Sequence, residues 1–166
     1  MVTDLVPCSG DPTELRQAYG CFPSGVAAVC ALDGEVPIGM AASSFTSVSL
    51  SPALVSICVQ DTSATWPLLR NAARIGISVL AQEQHQVCRN LAARHGDRFA
   101  DLEWSATGTG AVLIHGAVLW LECRVHSELS AGDHSIVLLE VTSLRATGER
   151  APLVFHGSRF RELTPA

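Results

Sequence analysis

The sequence predicts a mainly β protein, an antiparallel barrel with helices on its outside. Three observations carry that prediction. Apolar, β-branched runs suited to roughly six or seven strands are spread through the 166 residues, against only two or three helical patterns. Strands and helices do not alternate as a doubly wound sheet requires. From Leu119 the chain alternates cleanly, with Leu119, Leu121, Cys123 and Val125 on one face and Trp120, Glu122, Arg124 and His126 on the other, as a half-buried antiparallel strand does.

Taken in order, the elements begin with a helix. Asp11 is placed as its N-cap, Pro12 in its first turn and Glu14 as the capping-box acid. Leu15, Ala18, Tyr19 and Phe22 follow at helical spacing as one apolar face, and Pro23-Ser24-Gly25 ends the helix. Val26–Leu32 is an apolar run closed by Asp33-Gly34, a hairpin turn, with Ile38–Ser44 as the partner strand. Leu54–Gln60 and Ile75–Leu80 read as further strands. Between them, Asp61–Arg70 begins with Ser, Thr and Asp and continues into Trp66-Pro67, which starts a helix; Glu83–Ala93 is a second, more polar one. Ala100–Gly110 carries Gly and Thr breakers and is expected as a loop. After the Leu119–Val125 strand, Gly132-Asp133 turns the chain into a long strand, His134–Leu144, and Leu153–His156 is a short final one. No repeat or low-complexity linker interrupts the chain, so residues 1–166 are expected to form a single domain.

Composition excludes several chemistries. All eleven cationic residues are Arg, and the chain holds no lysine. A Walker-type phosphate loop needs its Lys, and a pyridoxal or aldolase Schiff base needs a Lys amine, so both are excluded. A net charge of −5 argues against nucleic-acid and anionic-membrane partners, which attract a basic footprint. Apolar runs such as Ala117–Leu121 and Ile136–Leu139 fall far short of the ~20 residues of a membrane span. Met1–Gly10 carries Asp4 and no basic cluster, unlike a signal peptide. The six cysteines, Cys8, Cys21, Cys30, Cys58, Cys88 and Cys123, show no C-x-x-C spacing. Cys30, Cys58 and Cys123 lie in apolar runs, so reduced core thiols in a cytoplasmic protein are expected.

Two polar segments have the residues to hold a ligand. Met40–Ser49 is rich in small and hydroxylated side chains where a plain connector would use Gly, Asn and Asp. Small side chains let a flat heteroaromatic ring approach the backbone, and hydroxyls and N–H groups bond its polar edge. An exposed Ser/Thr strand accounts for the same composition. Asp61-Thr62-Ser63-Ala64-Thr65, at a helix start, offers N–H groups and hydroxyls to an anion without any lysine. Ordinary N-capping is the competing account. One strand, Leu54–Gln60, joins the two segments, so both can meet one phosphate-bearing cofactor. His85, His95, His115, His126 and His156 show no metal-ligand spacing, and neither a G-x-S-x-G elbow nor a G-x-G-x-x-G fingerprint occurs.

A resemblance narrows this reading. Pro23-Ser24-Gly25-Val26, the stretch Gly39–Pro52 and Ala131-Gly132-Asp133-His134 occur in the order of the short-chain flavin reductase family, the reductase components of two-component flavin-dependent monooxygenases. Gly116-Ala117 running to Leu121-Glu122-Cys123, Pro152-Leu153-Val154-Phe155 and Gly157-Ser158-Arg159-Phe160 also match, so the resemblance covers about Leu15 to Leu163. It implies an FMN-binding split barrel, usually a homodimer with flavin sites near the subunit interface. It implies FMN or FAD as the flavin, NADH or NADPH as the hydride donor, and a separate monooxygenase that receives reduced flavin by diffusion. By position, Met40, Ala41, Ala42, Ser43 and Ser44 line the flavin, and Ser47, Val48 and Ser49 meet the polar edge of its ring. Ser63 and Thr65 hold the phosphate region, with Arg89 from the following helix. His134 matches the family histidine associated with nicotinamide binding, as the catalytic candidate. Phe155 and Arg159 fall in the C-terminal segment that closes the site.

The chain departs from the family pattern at Ala41, usually Thr, at Ala53, commonly a second Pro, at Leu139, usually Gly, and at Leu91, often aromatic. The missing hydroxyl at Ala41 is in keeping with a flavin that must leave after reduction. Two alternatives stay open at this point: an oxidoreductase on the same barrel that keeps its flavin and reduces an organic substrate directly, and a non-catalytic flavin-binding protein.

Overall fold

In the computed structural model, which describes residues 5–148 and 150–164, Asp11 caps the first helix: its carboxylate accepts from the Thr13 N–H at 2.9 Å. Asp4, used in reading the N-terminus, lies outside the described residues. Helix α1 (Pro12–Tyr19) stops short of Phe22, and none of its residues is buried. Tyr19 is 71% and Phe22 80% exposed, so the expected apolar face has no cover within one chain.

The strands follow from the apolar runs. After β1 (Ser24–Gly25) come β2 (Ala27–Asp33) and β3 (Val36–Ala42), joined by the Asp33-Gly34 turn, in which Gly34 supplies the positive φ. Then come β4 (Thr46–Leu50), β5 (Ala53–Gln60), α2 (Trp66–Leu69), β6 (Ile75–Val79) and α3 (His85–Ala92). A short ribbon, β7 (Trp104–Ala106) and β8 (Val112–Ile114), precedes the long pair β9 (Leu119–Ala131) and β10 (His134–Ala146). The hairpin β11 (Val154–His156) and β12 (Arg159–Arg161) closes the chain. Seven strands form one sheet in the order β3-β2-β6-β9-β10-β5-β4, with every neighbouring pair antiparallel. A separate sheet, β1-β11-β12, ties the C-terminal hairpin to the start of the barrel.

Burial explains the patterns. β5 alternates, turning Val55, Ile57 and Val59 into the barrel, where they meet Val29, Ile77, Leu121, Val137 and Leu139. β2 is buried on both faces because its other side lies under Leu91 of α3 and Val112 and Ile114 of β8. That double cover is why its sequence reads as one continuous apolar run. The alternation of β5 also leaves Cys58 exposed, which corrects its expected place in the core. Cys30 and Cys123 are buried, and burial raises both thiols, Cys123 to about 12, so both stay protonated.

For Thr46–Ser49 the exposed Ser/Thr strand is the account that holds: β4 runs along a sheet edge, with Ser47 exposed and Ser49 half-buried. Two segments differ from expectation. β7 lies inside the expected Ala100–Gly110 loop, paired with β8. β9 runs on to Ala131, beyond Val125; past Cys123 it has left its β6 neighbour and pairs with β10 alone, so one edge is open and the apolar alternation fades. No helix among the described residues is long and apolar enough to cross a membrane.

Candidate functional site

The barrel is closed by a side chain where the strand ladder gives out. Beyond the end of β3, Ser44 Oγ accepts from the Cys58 N–H at 2.8 Å and donates to the Cys58 carbonyl at 3.1 Å, doing for β5 what a neighbouring strand would do. A cleft of about 490 Å³ opens at this split. Its walls are Met40, Ala41, Ala42, Ser43 and Ser44 on one side and Cys58–Gln60 of β5 beneath. Ser63–Thr65 follow, then Leu91, Ala92, Arg94 and Arg98 from α3 and the loop after it, with His134 from the start of β10. Small side chains on the first wall leave the backbone accessible to a flat ligand.

One corner is built for an anion. Arg98, partly buried, donates from Nη1 to Thr65 Oγ1 at 2.7 Å and to the Gly39 carbonyl at 2.9 Å, and from Nε to the Ala93 carbonyl at 2.8 Å. A single guanidinium thus ties β3, the start of α2 and the loop after α3 together. Ser63 Oγ accepts from the Trp66 N–H at 3.1 Å, so the N-capping account of this segment holds for Ser63. Both hydroxyls are used as acceptors, and each keeps its own proton to donate. Arg94 is exposed in the same cleft and forms no salt bridge among the described residues.

At the opposite side, His134 Nδ1 lies 2.7 Å from Asp133 Oδ1. That hydrogen bond, with the histidine's charge, holds the Asp133 carboxyl below the ordinary aspartate range. A carboxylate only accepts, so Nδ1 donates its proton to Asp133, and Nε2 is the ring nitrogen left for a ligand. His134 is held in register between Gln60 of β5 and Ala131 of β9.

Of the residues singled out in the sequence, Met40–Ser44, Ser63, Thr65 and His134 meet in this cleft. Ser47, Val48 and Ser49 do not line it; they lie on β4 at the sheet edge, with Val48 49% exposed. Arg89 turns away from it and stacks on the Phe160 ring, 5.7 Å from the centroid. Phe155 packs against Phe160 and lines two smaller cavities that share Ser43 with the main one. Arg159 pairs opposite His156 in the terminal hairpin, outside the main cleft. Arg94 and Arg98 were not singled out. Two arginines four apart, after the polar helix of a lysine-free chain, are the signal that points to them.

Residues 19–164 match the flavin reductase like domain. The chain belongs to the flavin reductase family. Among flavin reductases, that of Pseudomonas putida is 36% identical over 157 residues, spanning 94% of this chain and 92% of that protein. The reductase subunit of a flavin-dependent monooxygenase from Rhodococcus jostii is 32% identical over 155 residues, 93% of this chain and 80% of that one. The solved NADH:FAD oxidoreductase of Streptomyces globisporus C-1027, in complex with NAD and FAD fragments, superposes with a TM-score of 0.90 at 40% identity over 98% of each chain. This flavin reductase family member has the antiparallel split barrel that the resemblance implied. Its cleft also suits a flavin: a wall of small residues for a flat ring, hydroxyl protons and two guanidinium groups at one end for a phosphate, and a volume within the usual ~300–1,000 Å³ of ligand pockets.

Proposed function

We propose that this protein is an NAD(P)H-dependent flavin reductase that supplies reduced FMN or FAD to a separate flavin-dependent monooxygenase. The observation that carries the proposal is the meeting of the Met40–Ser44 wall, the Thr65–Arg98 corner and His134 in one cleft. Bound flavin supplies the hydride acceptor, N5, for hydride leaving nicotinamide C4. The chain's own residues position the partners. Backbone groups and hydroxyls of Met40–Ser44 hold the ring and its polar edge. Ser63, Thr65 and Arg94 hold the phosphate, with Arg94 taking the part that the resemblance implied for Arg89. His134, oriented by Asp133, holds the nicotinamide nucleotide and is not an obligate proton donor.

The chain works as one cytoplasmic domain, without nucleic acid or membrane. The exposed Tyr19 and Phe22 side chains support a homodimer in which a second copy covers them. NADH consumption in air, by purified protein with FMN, FAD or no flavin added, tests the activity. Turnover that rises and saturates with added flavin is expected. Flavin binding without NADH consumption, with either nicotinamide, points instead to a binding protein. For His134→Ala, the Michaelis constant for NADH is expected to rise about tenfold, the loss of one or two good hydrogen bonds, while that for flavin changes little. An unchanged NADH constant removes His134 from this role.

A further inference from the structure

The β5–β10 ladder ends at the pair of Gln60 with His134, so the nicotinamide candidate sits on the last rung, where a ladder frays most easily. Asp61, the next residue of the chain, holds that rung from both sides. Its N–H donates to the Asp133 carbonyl at 3.1 Å, and its Oδ1 accepts from Ser135 Oγ at 3.1 Å. Asp133 and Ser135 are the two chain neighbours of His134. Asp133 also orients the imidazole through its carboxylate, so the ring is only as fixed as the turn that Asp61 anchors.

Asp61 also opens the segment that carries Ser63 and Thr65 into the cleft. An aspartate in such a turn ordinarily accepts from an N–H two or three residues on. Among the described residues Asp61 accepts from none there; its carboxylate bonds Ser135, 74 positions away. The segment is held without it, because the Ser63 N–H donates to the Gln60 carbonyl at 3.0 Å and Ser63 Oγ caps Trp66. The hairpin is held without it too. Glu128 of β9 accepts from Trp66 Nε1 at 3.4 Å and pairs with Arg70 at 3.4 Å. What the Asp61 carboxylate adds is therefore local to the rung that bears His134. We propose that Asp61 is a positioning residue: it fixes His134, and with it the nicotinamide nucleotide, against the segment that holds the flavin phosphate. The inference rests on the flavin reductase reading given above.

The test is steady-state NADH oxidation by the full chain with added flavin, in wild type, Asp61→Ala, Asp61→Asn and Ser135→Ala, and in Asp61→Ala combined with His134→Ala. Asp61→Ala is expected to raise the KM for NADH about fivefold, the order of one exposed hydrogen bond, and to leave that for flavin within about twofold. Ser135→Ala removes the same bond from its other end and is expected to act in the same direction. It carries the test if Asp61→Ala does not fold. Asp61→Asn keeps the acceptor and is expected to restore the NADH constant to within about twofold of wild type. On the His134→Ala background, Asp61→Ala is expected to add less than about twofold, because its effect passes through the histidine. An unchanged NADH constant, an equal rise in both constants, an asparagine variant as poor as the alanine one, or full additivity with His134→Ala overturns the inference and leaves the reductase reading standing. No NADH oxidation by the wild type with either flavin removes the reductase reading, and this one with it.

Discussion

Gly76→Ala is expected to cost at least about 3 kcal/mol of stability, beyond the usual range for an overpacked site, and to leave little folded protein at 37 °C. Gly76 is in the middle of β6, opposite Cys30 of β2 and Glu122 of β9. A Cβ there would lie 2.0 Å from the Val112 carbonyl oxygen and 2.7 Å from its carbon. Both are backbone atoms, so no change of rotamer relieves the clash. β8 would have to lift off the barrel, taking the buried Val112 and Ile114 with it. It would also break the hydrogen bond that the Ile114 N–H donates to Ser78 Oγ at 3.0 Å, stranding a fully buried hydroxyl. Urea unfolding of Gly76→Ala beside Gly25→Ala, whose added Cβ meets nothing within 4 Å, measures the difference. Equal midpoints for the two variants would falsify this account of how β8 is seated.

Arg98→Ala is expected to lower kcat/KM for flavin about 50-fold, the order of one or two lost charge-assisted hydrogen bonds, with a smaller effect on the constant for NADH. The reason is that Arg98 works through other groups. Its Nη1 bonds hold Thr65 Oγ1 and the Gly39 carbonyl together, and its Nε bond to Ala93 sets the path of the loop that presents Arg94. Removing it frees three walls of the cleft at once. Arg98→Lys is expected to stay within about threefold of the alanine variant, because a single ammonium cannot span the fork that reaches Gly39, Thr65 and Ala93 together. Recovery of near wild-type flavin kinetics by the lysine variant would mean that only the charge matters and that the geometric reading is wrong.

Local chemistry made much of this protein legible before its structure. The Asp11-Pro12 helix start, the Asp33-Gly34 hairpin and the alternation from Leu119 each depend on residues within a few positions of one another, and each appears where expected. The same holds for Met40–Ser44, since small and hydroxylated residues at a strand end are visible in the chain itself. β4 lacks the apolar alternation that marks a half-buried strand, so its residues by themselves leave an exposed Ser/Thr strand and a ligand-binding segment equally open. Leu15, Ala18 and Tyr19 lie on α1 and Phe22 beyond its end, none of them buried, and the chain alone carries no record of what covers them.

The amino-acid sequence by itself determined the antiparallel barrel class, the exclusion of lysine chemistry and the small-residue wall of the cleft. These follow from composition and from periodicities of a few residues, which act over a turn or a strand. Only the tertiary structure decided that Arg94 and Arg98 reach the cleft while Arg89 stacks on Phe160, and that Ser44 closes the barrel on Cys58. It also decided that Cys58 is exposed. Which way a side chain points there depends on the phase at which α3 ends and on contacts between residues far apart in the chain, such as Gly39 with Arg98. No local pattern encodes those contacts, because they arise only when the barrel closes.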